Sequence, residues 1–201
     1  MANLVKCKAI VLSENQYKEN DKMLVAISDE FGKITISAKG AKRVNSPFLA
    51  VSQQFCFSEM SLYEGKNGIY TLTDATLISS FYGLRNDLDN LFSANDIAQI
   101  SLKVSQEELP DNDLMRLLLN TLFMLSENKI SSELAEIIFK IRLVYDEGLL
   151  PEPKFMSDGA LMAVNHIIMS DFDKIYSFNV SDEVKKELVK YSNSVLKFLM
   201  T

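Results

Sequence analysis

Along residues 1–80 polar and apolar positions alternate, and along residues 81–201 they recur every third or fourth place. Period two marks half-buried strands, and the longer period marks amphipathic helices. The first strand covers residues 4–12, with Val5, Cys7, Ala9 and Val11 opposing Leu4, Lys6, Lys8, Ile10 and Leu12. Residues 13–21 carry turn chemistry. Lys22 to Ser28 is a second strand, and Lys33 to Lys39 a third. Asp29-Glu30-Phe31-Gly32 joins them as a hairpin, with Gly32 free to take positive φ. In the third strand Ile34, Ile36 and Ala38 alternate with Lys33, Thr35, Ser37 and Lys39 before Gly40 breaks the pattern. A loop containing Pro47 leads to a long strand expected over Val51 to Tyr63. A turn with Gly65 and Gly68 follows, and Ile69 to Leu77 is the fifth strand. Five short strands with glycine corners predict a small closed barrel, and the five-stranded oligonucleotide-binding (OB-fold) barrel is the leading candidate.

Beyond Gly83, Leu84, Leu88, Leu91, Ala94, Ala98 and Leu102 fall at helical spacing. Pro110, Asp111 and Asp113 open a second helix through Ser126, nearly apolar along Leu117 to Leu125. Ser131 can cap a third helix that Gly148 ends. Residues 149–159 form a loop, short helices are expected at 160–169 and 171–177, and Ser181 caps a final helix. The expected fold class is α+β. A barrel domain spans 1–80 and a helical-bundle domain spans 81–201, with no cysteine between 149 and 170.

Composition narrows the class. The chain has 201 residues, 47% of them hydrophobic, enough to bury a core without disulfides. Cys7 and Cys56 both sit in strand-like apolar runs and read as small core residues of a reducing compartment, with a bridge between them the weaker alternative. Two cysteines and one histidine, His166, argue against a structural zinc site, and no cofactor is expected. No apolar run approaches the ~20 residues that span a bilayer, and the N-terminal residues enter a strand pattern without a signal-like apolar region. The expected location is the cytoplasm, associated with the nucleoid.

Charge is uneven. The net charge is −6, yet from Phe31 to Ser58 there is no acidic residue, while Lys33, Lys39, Lys42 and Arg43 follow one another. A local positive field against the global sign suits a phosphate backbone. Lysines on an outward strand face are also explained by solvation or by protection of a sheet edge. No glycine-rich phosphate loop, nucleophile elbow or Ser/His/Asp set is present, so a hydrolase has no residues to carry it. The pairs Asp111/Asp113 and Asp171/Asp173 sit where carboxylates favour helix starts.

Four stretches resemble the RecO family of bacterial recombination mediators: YKENDKM (Tyr17 to Met23), EFGKITISAKGAKR (Glu30 to Arg43), LYEGKNGIYTLTDATLISSFYGLRNDL (Leu62 to Leu88) and ELAEIIFKIRLVYDEGLLPE (Glu133 to Glu152). The final LKFL (Leu196 to Leu199) also fits, so the resemblance runs nearly end to end. It implies an OB-fold barrel followed by helices, and a nonenzymatic protein of DNA repair. Such a protein binds single- and double-stranded DNA, anneals complementary strands and acts with RecR, and sometimes RecF, to load RecA onto DNA coated by single-strand-binding protein (SSB). It also docks the acidic C-terminal tail of SSB. Many members carry four zinc-binding cysteines after the third helix; Leu149 to Ser170 contains none.

With the resemblance included, Lys6, Lys8, Lys33, Lys39, Lys42, Arg43 and Lys66 are the candidate DNA contacts of the barrel. Phe48, Phe55, Phe57, Tyr63 and Tyr70 are the aromatics that could stack on bases; Phe48, beside Pro47 and the basic turn, is the better candidate, while Phe55 and Phe57 read as barrel filling. Phe139, Lys140 and Arg142 on the third helix are the candidates for the SSB tail, since Phe139 and Arg142, three apart, can share a face. The competing reading there is a core phenylalanine and a surface arginine. A protein-interaction module with little direct DNA binding is the alternative function, favoured by an isoelectric point near 4.9.

Overall fold

The computed structural model describes residues 3–200, with Lys66 described for its backbone alone. Five strands, β1 (Leu4–Tyr17), β2 (Asp21–Ser28), β3 (Gly32–Ala38), β4 (Phe57–Glu64) and β5 (Ile69–Ser79), close a barrel in the order β1-β2-β3-β5-β4. All ladders are antiparallel except β3–β5, where Thr35–Ser37 run parallel to Ile69–Thr71. This is the OB-fold topology that the alternation predicted. The inward positions Ala9, Val11, Leu24, Ile36, Met60 and Leu62 are buried and fill the barrel.

Five helices follow: α1 (Leu88–Val104), α2 (Asn112–Ser126), α3 (Ser132–Asp146), α4 (Asp158–Met169) and α5 (Asp182–Leu199). The chain divides into two compact units. Met1–Tyr82 groups with Ala98–Met115, and Gly83–Ile97 groups with Arg116–Thr201. The barrel unit therefore includes the end of α1 and the segment after it. That segment is tied to the β2–β3 hairpin by Lys33 N–H donating to Gln106 O (2.9 Å) and Glu108 N–H donating to Phe31 O (3.0 Å). In the other unit, Ser131, Ser157 and Ser181 cap α3, α4 and α5 through their hydroxyls, satisfying backbone donors that a helix leaves open.

Three local expectations are revised. The first strand runs on to Tyr17, because the polar residues after Leu12 pair with β2 as an extension of the hairpin beyond the barrel core. Val51–Cys56 is not strand. Phe55 takes φ +69°, and the segment bonds back to β1 through Phe55 N–H to Val11 O (2.7 Å) and Val11 N–H to Cys56 O (3.0 Å). Its buried side chains Val51, Phe55 and Cys56 supply the apolar run that reads as strand, and Val51 packs into the barrel core. Residues 172–176 form turns, and no helix occupies 171–177. Both cysteines are buried thiols, not a bridge. Among the described residues no helix is long and apolar enough to cross a membrane.

Candidate nucleic-acid interface

The basic turn after β3 is built against the tip of the β1–β2 hairpin. Gly40, at φ +68°, turns the chain out of the strand, and its N–H donates to Asp21 Oδ1 (2.8 Å). Lys42 N–H donates to Asn20 O (3.0 Å), and Arg43 N–H donates to Gly40 O (3.1 Å). The backbone is thus held at three points while the side chains of Lys39, Lys42 and Arg43 face solvent. Among the described residues none of the three makes an ion pair. Cations on a fixed backbone with open side chains can follow a phosphate chain at small cost in ordering.

The hairpin also brings acids that the linear sequence keeps away. Asp21 is engaged by Gly40, and Glu14 pairs with Lys22, whose ammonium also donates to Ser52 O (3.3 Å). Lys22 is a cation already spent inside the barrel mouth. The exposed charges at this end are Lys18, Lys39, Lys42 and Arg43 against Glu19, with Asp21 half-buried, so the sign remains positive.

The other barrel candidates separate from this cluster. Lys33 does not stand on an open face: its ammonium donates to Leu102 O (3.2 Å) near the C-terminal end of α1, where unpaired carbonyls favour a cation. Lys6 and Lys8 are exposed, but lie on the part of β1 paired with β4, opposite Ser61 and Glu59, rather than on the hairpin that carries the basic turn. The side chain of Lys66 lies outside the described residues. Phe48 is half-buried and packs against the barrel core, so the aromatic expected to stack on bases is instead committed to that packing. Phe55 is core, and Tyr70 packs beside Phe31, ring centres 5.7 Å apart. An exposed aromatic at this end, Tyr17, lies within the segment expected to be turn. Tyr17 closes β1 at 48% exposure, with the Lys18 ammonium 5.3 Å from its ring centre. An aromatic followed directly by a lysine in a polar run was the available signal.

The pocket expected of Phe139, Lys140 and Arg142 is not formed. Phe139 is fully buried, because it points into the helical core with Ile138 and Ile141. Lys140 pairs with Glu136 (2.8 Å) and reaches Asn193 Oδ1 (3.2 Å). Arg142 pairs with Asp146 (2.8 Å), and its Nη1 donates to Ile167 O (3.2 Å) and Ser170 O (2.8 Å) at the end of α4. Its guanidinium also lies over the Phe172 ring at 4.6 Å. It is a clasp on α4, with few donors left for a peptide carboxylate.

The remaining chemistry is structural. His166 Nε2 lies 3.1 Å from Lys174 O, and the ring meets Phe178 edge-on at 4.9 Å. Asp111 Oδ1 accepts from Leu114 N–H (2.8 Å) as a cap on α2. Burial, with the charges of Asp29 and Glu30 behind it, pushes the Cys7 thiol up to about 12. No group of three or more metal-ligating side chains occurs among the described residues.

Comparison with known proteins adds a second line. A family model described as "Recombination protein O N terminal" matches residues 1–81. A DNA repair protein RecO from Acetivibrio thermocellus is 32% identical over 230 aligned positions, covering 97% of this chain and 91% of the relative. The protein of the same name from Clostridium perfringens is 24% identical, covering 96% of this chain and 92% of its own. That of Bacillus subtilis is 33% identical over 149 positions, 74% of this chain and 58% of its own length.

Proposed function

Because the chain belongs to the RecO family of DNA repair proteins, we propose that it is a nonenzymatic recombination mediator that binds single- and double-stranded DNA through the basic end of its barrel. The observation that carries this reading is the solvent-facing set Lys39, Lys42 and Arg43 on a turn pinned to the β1–β2 hairpin. An OB-fold barrel characteristically receives oligonucleotides beside its second and third strands and the loop joining the first two, which is this end.

The mechanism is electrostatic. Two complementary strands repel through their phosphates, and cations that replace condensed counterions lower that repulsion, so base pairing between strands can proceed. In this reading the protein anneals strands and, with RecR and in some settings RecF, helps RecA load onto single-stranded DNA coated by SSB. Contact with the acidic tail of SSB then falls on a surface other than the engaged Phe139–Arg142 segment. Lys6 and Lys8 are secondary contacts, met by strands that extend around the barrel.

The test is DNA binding across a salt series with Lys42→Ala/Arg43→Ala. If each cation meets one phosphate, the variant lowers the log–log salt slope by roughly 1.4 on single strands and roughly 1.8 on duplex. A variant with the wild-type slope and affinity refutes the basic turn as the DNA contact. A wild-type protein that binds no DNA at low salt, yet binds RecR, establishes the alternative of a protein-interaction module.

A further inference from the structure

Charge alone does not distinguish the two forms of DNA offered to this end of the barrel. Phosphates are present in both, and Lys39, Lys42 and Arg43 act on phosphates. A side chain that separates the forms must interact with something that one of them hides. In duplex DNA the faces of the bases are covered by their neighbours; in a single strand they open transiently, and an aromatic ring can take one.

Tyr17 is placed for that interaction. It is the last residue of β1, paired with Asp21 across the hairpin, and Asp21 in turn holds Gly40 of the basic turn. One hydrogen bond therefore links the hairpin tip that carries the ring to the turn that carries Lys39, Lys42 and Arg43. The neighbouring connection, Lys42 N–H to Asn20 O at 3.0 Å, holds the same two turns together a second time. The ring is 48% exposed at a position that ends a strand rather than one that fills the core. Lys18 takes φ +56° and holds its ammonium over the ring, 5.3 Å from its centre, so one face carries a cation and a base takes the opposite face. A base laid on the ring would have the basic turn, tied to the same hairpin through Asp21 and Asn20, as the source of cations for its neighbouring phosphates. Phe48, on the loop after the basic turn, is half-buried against the barrel core.

We infer that Tyr17, backed by Lys18 on one face, is the base-stacking platform by which this protein favours single-stranded over double-stranded DNA. The inference rests on the DNA-binding reading above and adds the residue that sets its specificity. It accounts for the placement of an open aromatic at the tip of a hairpin that reaches beyond the barrel core. Tyr17 is a contact residue, not a residue that positions the lysines, because the turn is held through the backbone of Asn20 and the carboxylate of Asp21.

The experiment measures fluorescence-anisotropy binding of the full chain to labelled oligo(dT), to a duplex of the same length, and to an abasic strand that keeps the phosphates and lacks the bases. The proteins are wild type, Tyr17→Ala, Tyr17→Phe and Lys42→Ala/Arg43→Ala. Tyr17→Ala is expected to weaken oligo(dT) binding about ten-fold, the size of one lost base–aromatic stack, and to leave duplex and abasic binding unchanged. Its salt slope stays at the wild-type value, and Tyr17→Phe restores oligo(dT) binding. Equal losses on all three ligands, or no loss on oligo(dT) while Lys42→Ala/Arg43→Ala lowers the slope, overturn the platform and leave the basic turn standing. An unchanged slope in Lys42→Ala/Arg43→Ala, with Tyr17→Ala also without effect, removes both readings.

Discussion

Gly32 offers the sharpest check on how the barrel unit is assembled. Its φ of +64° closes the β2–β3 hairpin, and the backbone of residues 106–109 lies directly against its Cα. A Cβ added there would collide with the carbonyl oxygens of Gln106 and Leu109 and would sit 2.8 Å from the Leu109 carbonyl carbon. Gly148 supplies the control: its φ is +72°, and a Cβ there would meet nothing within 4 Å. Gly148→Ala therefore carries only the cost of a left-handed L-residue, about 1 kcal/mol. Gly32→Ala carries that cost and also has to push back the 106–109 segment. The segment's hydrogen bonds to Lys33 and Phe31, 2.9 and 3.0 Å long, must then stretch or break. Each is worth about 1 kcal/mol net, and the displaced packing adds a similar amount, so the total is about 3–4 kcal/mol. With a urea m-value of about 2 kcal/mol/M, the unfolding midpoint of Gly32→Ala falls by more than about 1 M, and that of Gly148→Ala by about half that or less. Equal midpoints for the two variants would refute the close approach as the reason for glycine at position 32.

Two further outcomes follow from buried groups. Arg142→Met removes the ion pair to Asp146 and strands the carbonyls of Ile167 and Ser170 that the guanidinium now satisfies, costing about 2–4 kcal/mol in a thermal melt; Arg142→Lys recovers little, since an ammonium cannot reproduce the planar fork. The Cys7 thiol, raised from 9.0 to about 12 by burial first and by Asp29 and Glu30 next, stays protonated in the folded chain while the unfolded chain ionises. The stability it supports is complete below pH 9 and is lost as pH rises from 9 towards 12. By pH 10 the loss is about 1 kcal/mol, and it is absent from the urea midpoints of Cys7→Ala compared at pH 8 and pH 10.

What residues 1–80 and 81–201 settled alone was local. Alternation along Lys33 to Lys39 states which side chains face inward, because a strand points successive side chains to opposite faces wherever it is placed. Ser131 and Ser181 mark helix starts, because a hydroxyl and the backbone N–H it accepts from are three residues apart. The OB-fold barrel followed from five such strands and their corners.

The availability of each charge was decided elsewhere. Lys33 is bound to Leu102 O, Lys22 to Glu14, and Arg142 to carbonyls at the end of α4, whereas Lys39, Lys42 and Arg43 are left facing solvent. Most of these partners lie far along the chain, and no local spacing names them. The same holds for Phe139, whose helical position suits a surface as well as a core until α3 is packed. It holds again for Val51–Cys56, where the burial that a strand would give is supplied by a loop bonded back to β1. Side-chain period is a property of the backbone, and can be read without knowing the neighbours. Charge compensation and burial are properties of the neighbours, and came into being only when the chain closed on itself.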